Sequence, residues 1–172
     1  MGVMNSWILL ALPVLIYLMY KIVRGYPIYI PLPRKTIIKI FDLASVCPKD
    51  LVYDLGSGDG RALIIASRDF GARAVGIEKN FFLAKFSAWR IKKLKLEDKV
   101  KVINKNFFDC DLSDASVVLV YLTQKINDLL EPKLKKELRK GTRVVSASHK
   151  FKGLKPVKKI KTGHFFSYLY II

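Results

Sequence analysis

Asp54-Leu55-Gly56-Ser57-Gly58-Asp59-Gly60-Arg61 lies between a short apolar stretch, Leu51-Val52-Tyr53, and an apolar-faced segment that opens at Ala62-Leu63-Ile64-Ile65-Ala66-Ser67. The order predicts a strand, a glycine-rich turn and a helix, which together form the nucleotide-binding corner of a doubly wound sheet. Glycine suits such a turn because it accepts positive φ and lets a ligand approach the backbone. The next expected strand, Arg73-Ala74-Val75-Gly76-Ile77-Glu78, ends in an acid. Glu78 lies 22 residues beyond Gly56, about the offset at which a carboxylate meets ribose hydroxyls.

A dinucleotide site reads G-x-G-x-x-G, whereas these glycines fall as Gly56-x-Gly58-x-Gly60. Asp54 and Asp59 flank or enter the turn, where a pyrophosphate would meet like charge. A ligand presenting an ammonium and a sulfonium group is favoured there, since opposite charges attract strongly in a poorly hydrated crevice. S-adenosyl-L-methionine fits that description. An NAD or nucleotide unit whose acids merely shape the turn is the competing reading.

At 172 residues the chain has room for one α/β domain and little more. Its net charge of +17 fits acidic partners (anionic lipid, nucleic acid or acidic protein surfaces) or the lysine-rich surface of a heat-adapted protein, so charge alone names no partner. Cys47 and Cys110 have no metal-ligand or redox-pair spacing, and His149 and His164 are the two histidines, so no metal site is expected.

Residues 1–20 carry no charged side chain, and Trp7 to Tyr20 is apolar throughout. Twenty helical residues reach about 30 Å, the thickness of the bilayer's hydrocarbon core. With Trp7, Tyr17 and Tyr20 near its ends and Lys21, Arg24, Arg34 and Lys35 following, residues 1–25 are expected to form an N-terminal transmembrane anchor helix. The positive-inside rule then puts the remaining chain on the cytoplasmic side. A buried or surface-lying helix is the alternative. Residues 26–35, with Pro27, Pro31 and Pro33, read as an extended linker, and residues 36–172 as the catalytic domain, opening on an amphipathic helix from Thr36 to Ala44.

A helix is expected from Asn80, a good N-cap, to about Lys95. One face holds Leu83, Ala84, Ala88, Ile91 and Leu94. The other holds Phe82, Phe86 and Trp89 beside Lys85 and Lys93, a stripe that reads either as core or as a headgroup-facing surface. Lys101-Val102-Ile103-Asn104 is a third strand, with Asn106 and Phe107 at its carboxyl end, where open α/β sheets bind ligands. Val117-Val118-Leu119-Val120 is a fourth, delivering Tyr121-Leu122-Thr123-Gln124 to the same edge. A helix over 125–138, Gly141 as its C-cap, a strand Arg143 to Ala147, a basic arm Lys155 to Lys161 and an apolar tail strand from His164 to Ile172 complete the chain.

Together these residues resemble the class I S-adenosylmethionine-dependent methyltransferases over roughly residues 28–172. The chain is more specifically similar to the small archaeal protein-lysine methyltransferases and their mitochondrial relatives, a group with a membrane-targeting N-terminal segment. The motifs that carry the likeness are Tyr29-Ile30-Pro31-Leu32-Pro33, Val52 to Arg61, Val75-Gly76-Ile77-Glu78, Asn106-Phe107-Phe108, and Leu134 to Ser146 with Glu137-Leu138 and Gly141-Thr142-Arg143. The resemblance implies a Rossmann-like, doubly wound, mostly parallel seven-stranded sheet with an antiparallel last strand. It implies S-adenosyl-L-methionine as cofactor, held by Asp54, Gly56, Ser57, Gly58, Asp59, Gly60, Arg61, Glu78, Lys79, Asn106 and Phe107. By position the turn and Asp54 take the methionine part, Glu78 the ribose, and Asn106 with Phe107 the adenine. Many class I enzymes have Asp where this chain has Asn106.

The implied activity is methyl transfer to lysine amines of proteins, with membrane-associated proteins as expected substrates and an anionic membrane surface as expected partner. A lysine amine must be neutral to attack, and in water its pKa is ~10.4. A desolvated aromatic channel lowers that value, so no strong base is needed; Tyr29, Tyr121, Thr123 and Gln124 are the candidate catalytic residues lining it. A lipid or small-molecule methyltransferase is the main alternative. A nucleic-acid amino-methyltransferase usually shows Asp/Asn-Pro-Pro-Tyr/Phe after the fourth strand, which Tyr121-Leu122-Thr123-Gln124 lacks, so nucleic acid is not the expected substrate. A non-catalytic cofactor-binding protein is the third alternative.

Overall fold

The computed structural model describes residues 11–17, 19 and 29–172. It divides into two compact units, Met1–Ile30 and Pro31–Ile172. In the first, residues 11–17 and 19 are helical and exposed, and Tyr29 and Ile30 are exposed without regular structure. The expected transmembrane anchor over 1–25, and the single-pass membrane localisation built on it, are corrected here. Among the described residues no helix is long and apolar enough to cross a membrane. Seven consecutive helical residues rise only about 10 Å, a third of the hydrocarbon thickness. Residues 1–10, 18 and 20–28, which include Trp7, Tyr20, Lys21, Arg24 and most of the expected linker, lie outside the described residues.

In the second unit, α1 spans Arg34–Leu43, β1 Leu51–Leu55, α2 Arg61–Phe70, β2 Arg73–Ile77, α3 Phe81–Lys93, β3 Val100–Ile103, β4 Val117–Val120, α4 Gln124–Glu137, β5 Arg143–Ala147, β6 Lys158–Thr162 and β7 Phe165–Ile171. The seven strands lie in the order β3-β2-β1-β4-β5-β7-β6. Neighbours from β3 to β5 pair in parallel, and β7 runs antiparallel to both β5 and β6. The expected basic arm is therefore largely β6, hidden from a sequence reading because Ile160 is the one apolar residue among its lysines. Helix α1 begins inside the expected linker: Pro33 is its N-cap, and Arg34 and Lys35 belong to it.

The central parallel strands β1, β4 and β5 are buried on both faces, as the uninterrupted Val117-Val118-Leu119-Val120 implies. Their side chains alternate between two cores. Val52, Val117 and Leu119 pack with Ile37, Ile40 and Phe41 of α1, Leu63 of α2 and Ile91 of α3. Tyr53, Leu55, Val118 and Val120 pack on the other side with Leu130 and Leu134 of α4 and Tyr170 of β7. The sheet's two edges are lysine-bearing: Lys101 is exposed on β3, and Lys158, Lys159 and Lys161 on β6.

At the amino ends of the strands Asp50 gathers three elements. It accepts from the Cys47 N–H at 2.8 Å and the Ser116 hydroxyl at 2.7 Å, and it pairs with Arg143. Arg143 also donates to the carbonyls of Ala44 and Ser45 at 2.7 and 2.9 Å. Burial alone would raise the Asp50 pKa, but these hydrogen bonds and the guanidinium outweigh it and hold the carboxyl below its ordinary value. Removing one partner of a buried pair strands the other charge. Asp50→Ala is expected to lower unfolding free energy by about 2–4 kcal/mol in urea titration at neutral pH. Because the folded-state pKa is depressed, the carboxylate's contribution is complete above the unfolded value and fades as pH falls through the folded one. The wild-type advantage over Asp50→Ala should accordingly shrink below about pH 4.

Candidate functional site

The carboxyl ends of β1, β2, β3 and β4 converge on the glycine turn. Gly56 has φ +87°, and its N–H donates to the Ile77 carbonyl at 2.8 Å. This ties the end of β1 to the end of β2. A Cβ on Gly56 would meet Leu122 Cδ2 at 3.2 Å, so the residue after Tyr121 already closes that flank. Gly60, at φ +76°, is the left-handed N-cap of α2. A Cβ there would fall 2.0 Å from Ser87 Oγ. Helix α3 thus packs directly against the turn, and only hydrogen fits between them.

Three carboxylates meet at this turn, and the structure gives them different surroundings. Asp59 takes a fork from Arg61, Nε to Oδ1 and Nη2 to Oδ2, both at 2.9 Å. Arg90 of α3 adds Nη1 to Oδ2 at 2.6 Å and to the Asp59 carbonyl at 2.8 Å. Burial pushes Asp59 up, but the Arg61 hydrogen bonds and the two guanidinium charges dominate and hold it below its usual value. Arg61 also donates to the Leu32 carbonyl at 3.1 Å, fastening the chain entering α1 to the turn. Glu78 is half-buried and accepts from the Asn80 N–H at 2.7 Å and the Gly58 N–H at 2.9 Å, one on each oxygen. That leaves one lone pair per oxygen, both held on a rigid carboxylate suited to two adjacent hydroxyl donors. Asp54 is 7 % exposed and, among the described residues, has no cation paired with it. Burial, then the charges of Glu78 and Asp59, push its pKa up to about 7.

A buried carboxylate without a cation is costly, and it suits a ligand that brings its own positive charge. The fixed Glu78 and the unpaired Asp54 together fit S-adenosylmethionine, with its ammonium, sulfonium and ribose diol. They do not suit a diphosphate.

The remaining sequence-predicted residues are placed as follows. Ser57 is buried and its hydroxyl has no partner. Lys79 is exposed, its carbonyl accepting from Asn104 Nδ2 at 3.2 Å. Asn106 and Phe107 sit at the carboxyl end of β3, where Asn106 Oδ1 caps a short 3-10 turn, Phe107–Asp109, through the Phe108 N–H at 3.2 Å. Part of the acceptor capacity expected for adenine is thereby used within the chain. Tyr121 is half-buried and stacks on Phe165, rings 5.6 Å apart at 21°. Thr123 is the N-cap residue of α4 but makes no side-chain cap bond, and its hydroxyl is buried without a partner. Gln124 Nε2 is held by Asp128 at 2.7 Å and the Lys150 carbonyl at 2.9 Å. Tyr29 belongs to the N-terminal unit, so the geometry of Pro31–Ile172 neither includes nor excludes it. Sequence reasoning missed Ser87, Arg90, Asn104 and Phe165. The small residues Ala84, Ser87 and Ala88 on α3 were the one visible signal of close packing; the others are brought in by tertiary packing.

A seven-stranded sheet with antiparallel β7, and carboxylates at its strand ends that suit a sulfonium cofactor, define a class I S-adenosylmethionine-dependent methyltransferase. The ANTKMT methyltransferase domain family matches residues 54–158. A protein-lysine N-methyltransferase of Saccharolobus islandicus is 40 % identical over 84 % of this chain and 92 % of its own length. The adenine nucleotide translocase lysine N-methyltransferase of Mus musculus is 33 % identical over 78 % of this chain and 58 % of its own. A Caenorhabditis elegans lysine N-methyltransferase named for ATP synthase is 31 % identical over 57 % of this chain and 50 % of its own. The chain thus spans 58 % and 50 % of the length of those last two relatives. Among solved structures, an RNA methyltransferase from Salinibacter ruber in complex with S-adenosyl-L-homocysteine is 36 % identical with a TM-score of 0.81, covering 83 % of this chain and 94 % of that one. The chain belongs to the ANTKMT-type protein-lysine N-methyltransferase family, and S-adenosyl-L-methionine is its cofactor.

Asp54 offers a direct test of the electrostatics. Its folded-state pKa is raised, so between about pH 4 and pH 7 the folded chain binds the extra proton and stability falls as pH rises. Above that window the full cost of the buried charge is present. At pH 8, without cofactor, Asp54→Asn is expected to be more stable than wild type by on the order of 1–3 kcal/mol, a gain that vanishes near pH 4 in thermal melts. An unchanged melt at pH 8 would contradict the unpaired-charge reading.

Proposed function

We propose that the chain methylates lysine side chains on membrane-associated proteins, with the acceptor amine entering along the Tyr121–Phe165 wall beside Gly56. The observation that supports this most is the adjacency of the unpaired Asp54 to that wall. Asp54 and Tyr121 lie at the ends of the paired strands β1 and β4, where Leu55 is opposite Val120. Bound here, S-adenosylmethionine supplies a methyl group on a positively charged sulfur. Asp54 holds the cofactor's ammonium, Glu78 its ribose hydroxyls, and Phe107 with Asn106 borders its adenine. Gly56 and Gly58 allow close approach, while Asp59 and Arg61 act by holding the turn's shape.

For the acceptor, the stacked rings of Tyr121 and Phe165 exclude water and so favour the neutral amine. They also restrict the approach of the lysine chain to one direction, which contributes through orientation. Thr123 offers an unpartnered hydroxyl at the start of α4, within the same segment as Tyr121. Gln124, fixed by Asp128 and the Lys150 carbonyl, orders that segment without itself serving as a base. These roles are desolvation and positioning; the proton leaves to solvent. The relatives named for protein-lysine methylation favour protein over RNA, as does the missing Asp/Asn-Pro-Pro-Tyr/Phe motif after β4.

Incubation with methyl-labelled S-adenosylmethionine, a membrane-protein fraction, RNA and extracted lipid is expected to place label on protein lysines. Label confined to RNA or lipid would overturn the assignment. Glu78→Ala should weaken cofactor binding roughly 10- to 100-fold by calorimetry, the loss of two charge-assisted hydrogen bonds. Phe165→Ala should leave cofactor affinity within about twofold yet cut kcat/KM for the acceptor about tenfold or more. Equal loss in both measurements would make Phe165 a packing residue only.

A further inference from the structure

Helix α3 buries Ala84, Ser87 and Ile91 and turns four large aromatics to solvent. Phe81, Phe82, Phe86 and Trp89 are 55, 81, 47 and 55 % exposed. The helix carries no acid, and from residue 79 to 105 nine basic side chains stand against Glu97 and Asp98. An apolar patch of this kind on an isolated domain marks an interaction surface.

We propose that the outer face of α3 docks on an anionic lipid surface, the domain lying flat against the headgroups. Charge complementarity selects an anionic partner, and the arrangement of the rings selects lipid over nucleic acid. Base stacking needs free ring faces. Here Phe86 and Trp89 stack on each other, 5.7 Å apart at 23°. Lys85 sits over Phe81 at 5.5 Å, Arg90 over Phe86 at 5.8 Å and Lys93 over Trp89 at 5.2 Å. Cations or a stacked ring therefore cover a face of Phe81, Phe86 and Trp89, while Phe82, edge-on to Phe81, is the most exposed. An amphipathic helix with rims at the acyl boundary and ammonium groups at phosphate depth is the interfacial arrangement. Helix α3 begins three residues after Glu78, so a lipid-seated domain carries the mouth of the cofactor crevice close to the headgroups.

Trp7 and Trp89 are the two tryptophans, so the full chain carrying Trp7→Phe reports on α3 alone. Its emission should shift to the blue, and be quenched by brominated acyl chains, on vesicles of mixed phosphatidylglycerol and phosphatidylcholine, but not on phosphatidylcholine alone. Adding Lys85→Glu and Lys93→Glu should weaken the quenched state at least about tenfold, with cofactor affinity unchanged as evidence of folding. Phe82→Ser should weaken it without altering charge. Vesicle binding without quenching of Trp89 would overturn the proposal, since another segment would then hold the lipid. So would a blue shift that follows protein concentration in the absence of vesicles, which indicates a second copy, or one produced by single-stranded RNA and not by anionic vesicles.

Discussion

Asp59 is shared by two arginines, and the geometry of the cofactor edge follows from that sharing. Arg61 opens α2 and Arg90 lies on α3, so one carboxylate fixes the helices that flank the turn. The consequence reaches the neighbouring acids. With Asp59 neutralised inside the chain, Asp54 and Glu78 remain the groups whose charge is not cancelled locally. A turn that looked uniformly acidic is electrostatically divided: Asp59 is paired with two arginines, Glu78 accepts backbone N–H groups, and Asp54 is buried without a cation.

The same division continues across the edge. The β1–β2 side, with the Gly56 turn and Glu78, presents fixed hydrogen-bonding groups, which suits recognition of a small polar molecule. The β4–β7 side presents Tyr121 on Phe165, a wall without formal charge. Methyl transfer to an amine needs both: a site that tolerates a sulfonium and an adjoining surface that discourages an ammonium.

How much of this was legible in the sequence depended on distance along the chain. The Asp54–Arg61 turn, the Glu78 strand end and the Val117–Val120 strand are local patterns, and local patterns can be read. Asp59 could not be separated from Asp54, because its second partner, Arg90, is 31 positions away. Phe165 escaped notice for the same reason: nothing in the tail indicates that β7 runs back to the mouth of the site and stacks on Tyr121. Helix α3 showed its aromatics plainly, but their exposure depends on what packs against the helix, which periodicity does not reveal. The N-terminal apolar run was over-read. Hydropathy measures composition, whereas spanning a bilayer requires continuous helical length, and the helix described there is short.

Lysines on β3 and β6 give part of the chain's large positive charge a second meaning. An open sheet ends in two rows of unpaired backbone donors and acceptors, each a template on which another copy could grow. Lys101 guards one row, and Lys158, Lys159 and Lys161 guard the other with side chains that repel an incoming copy of themselves. The most basic strand in the fold therefore acts as insulation against fibre-like stacking, a role that asks nothing of any partner.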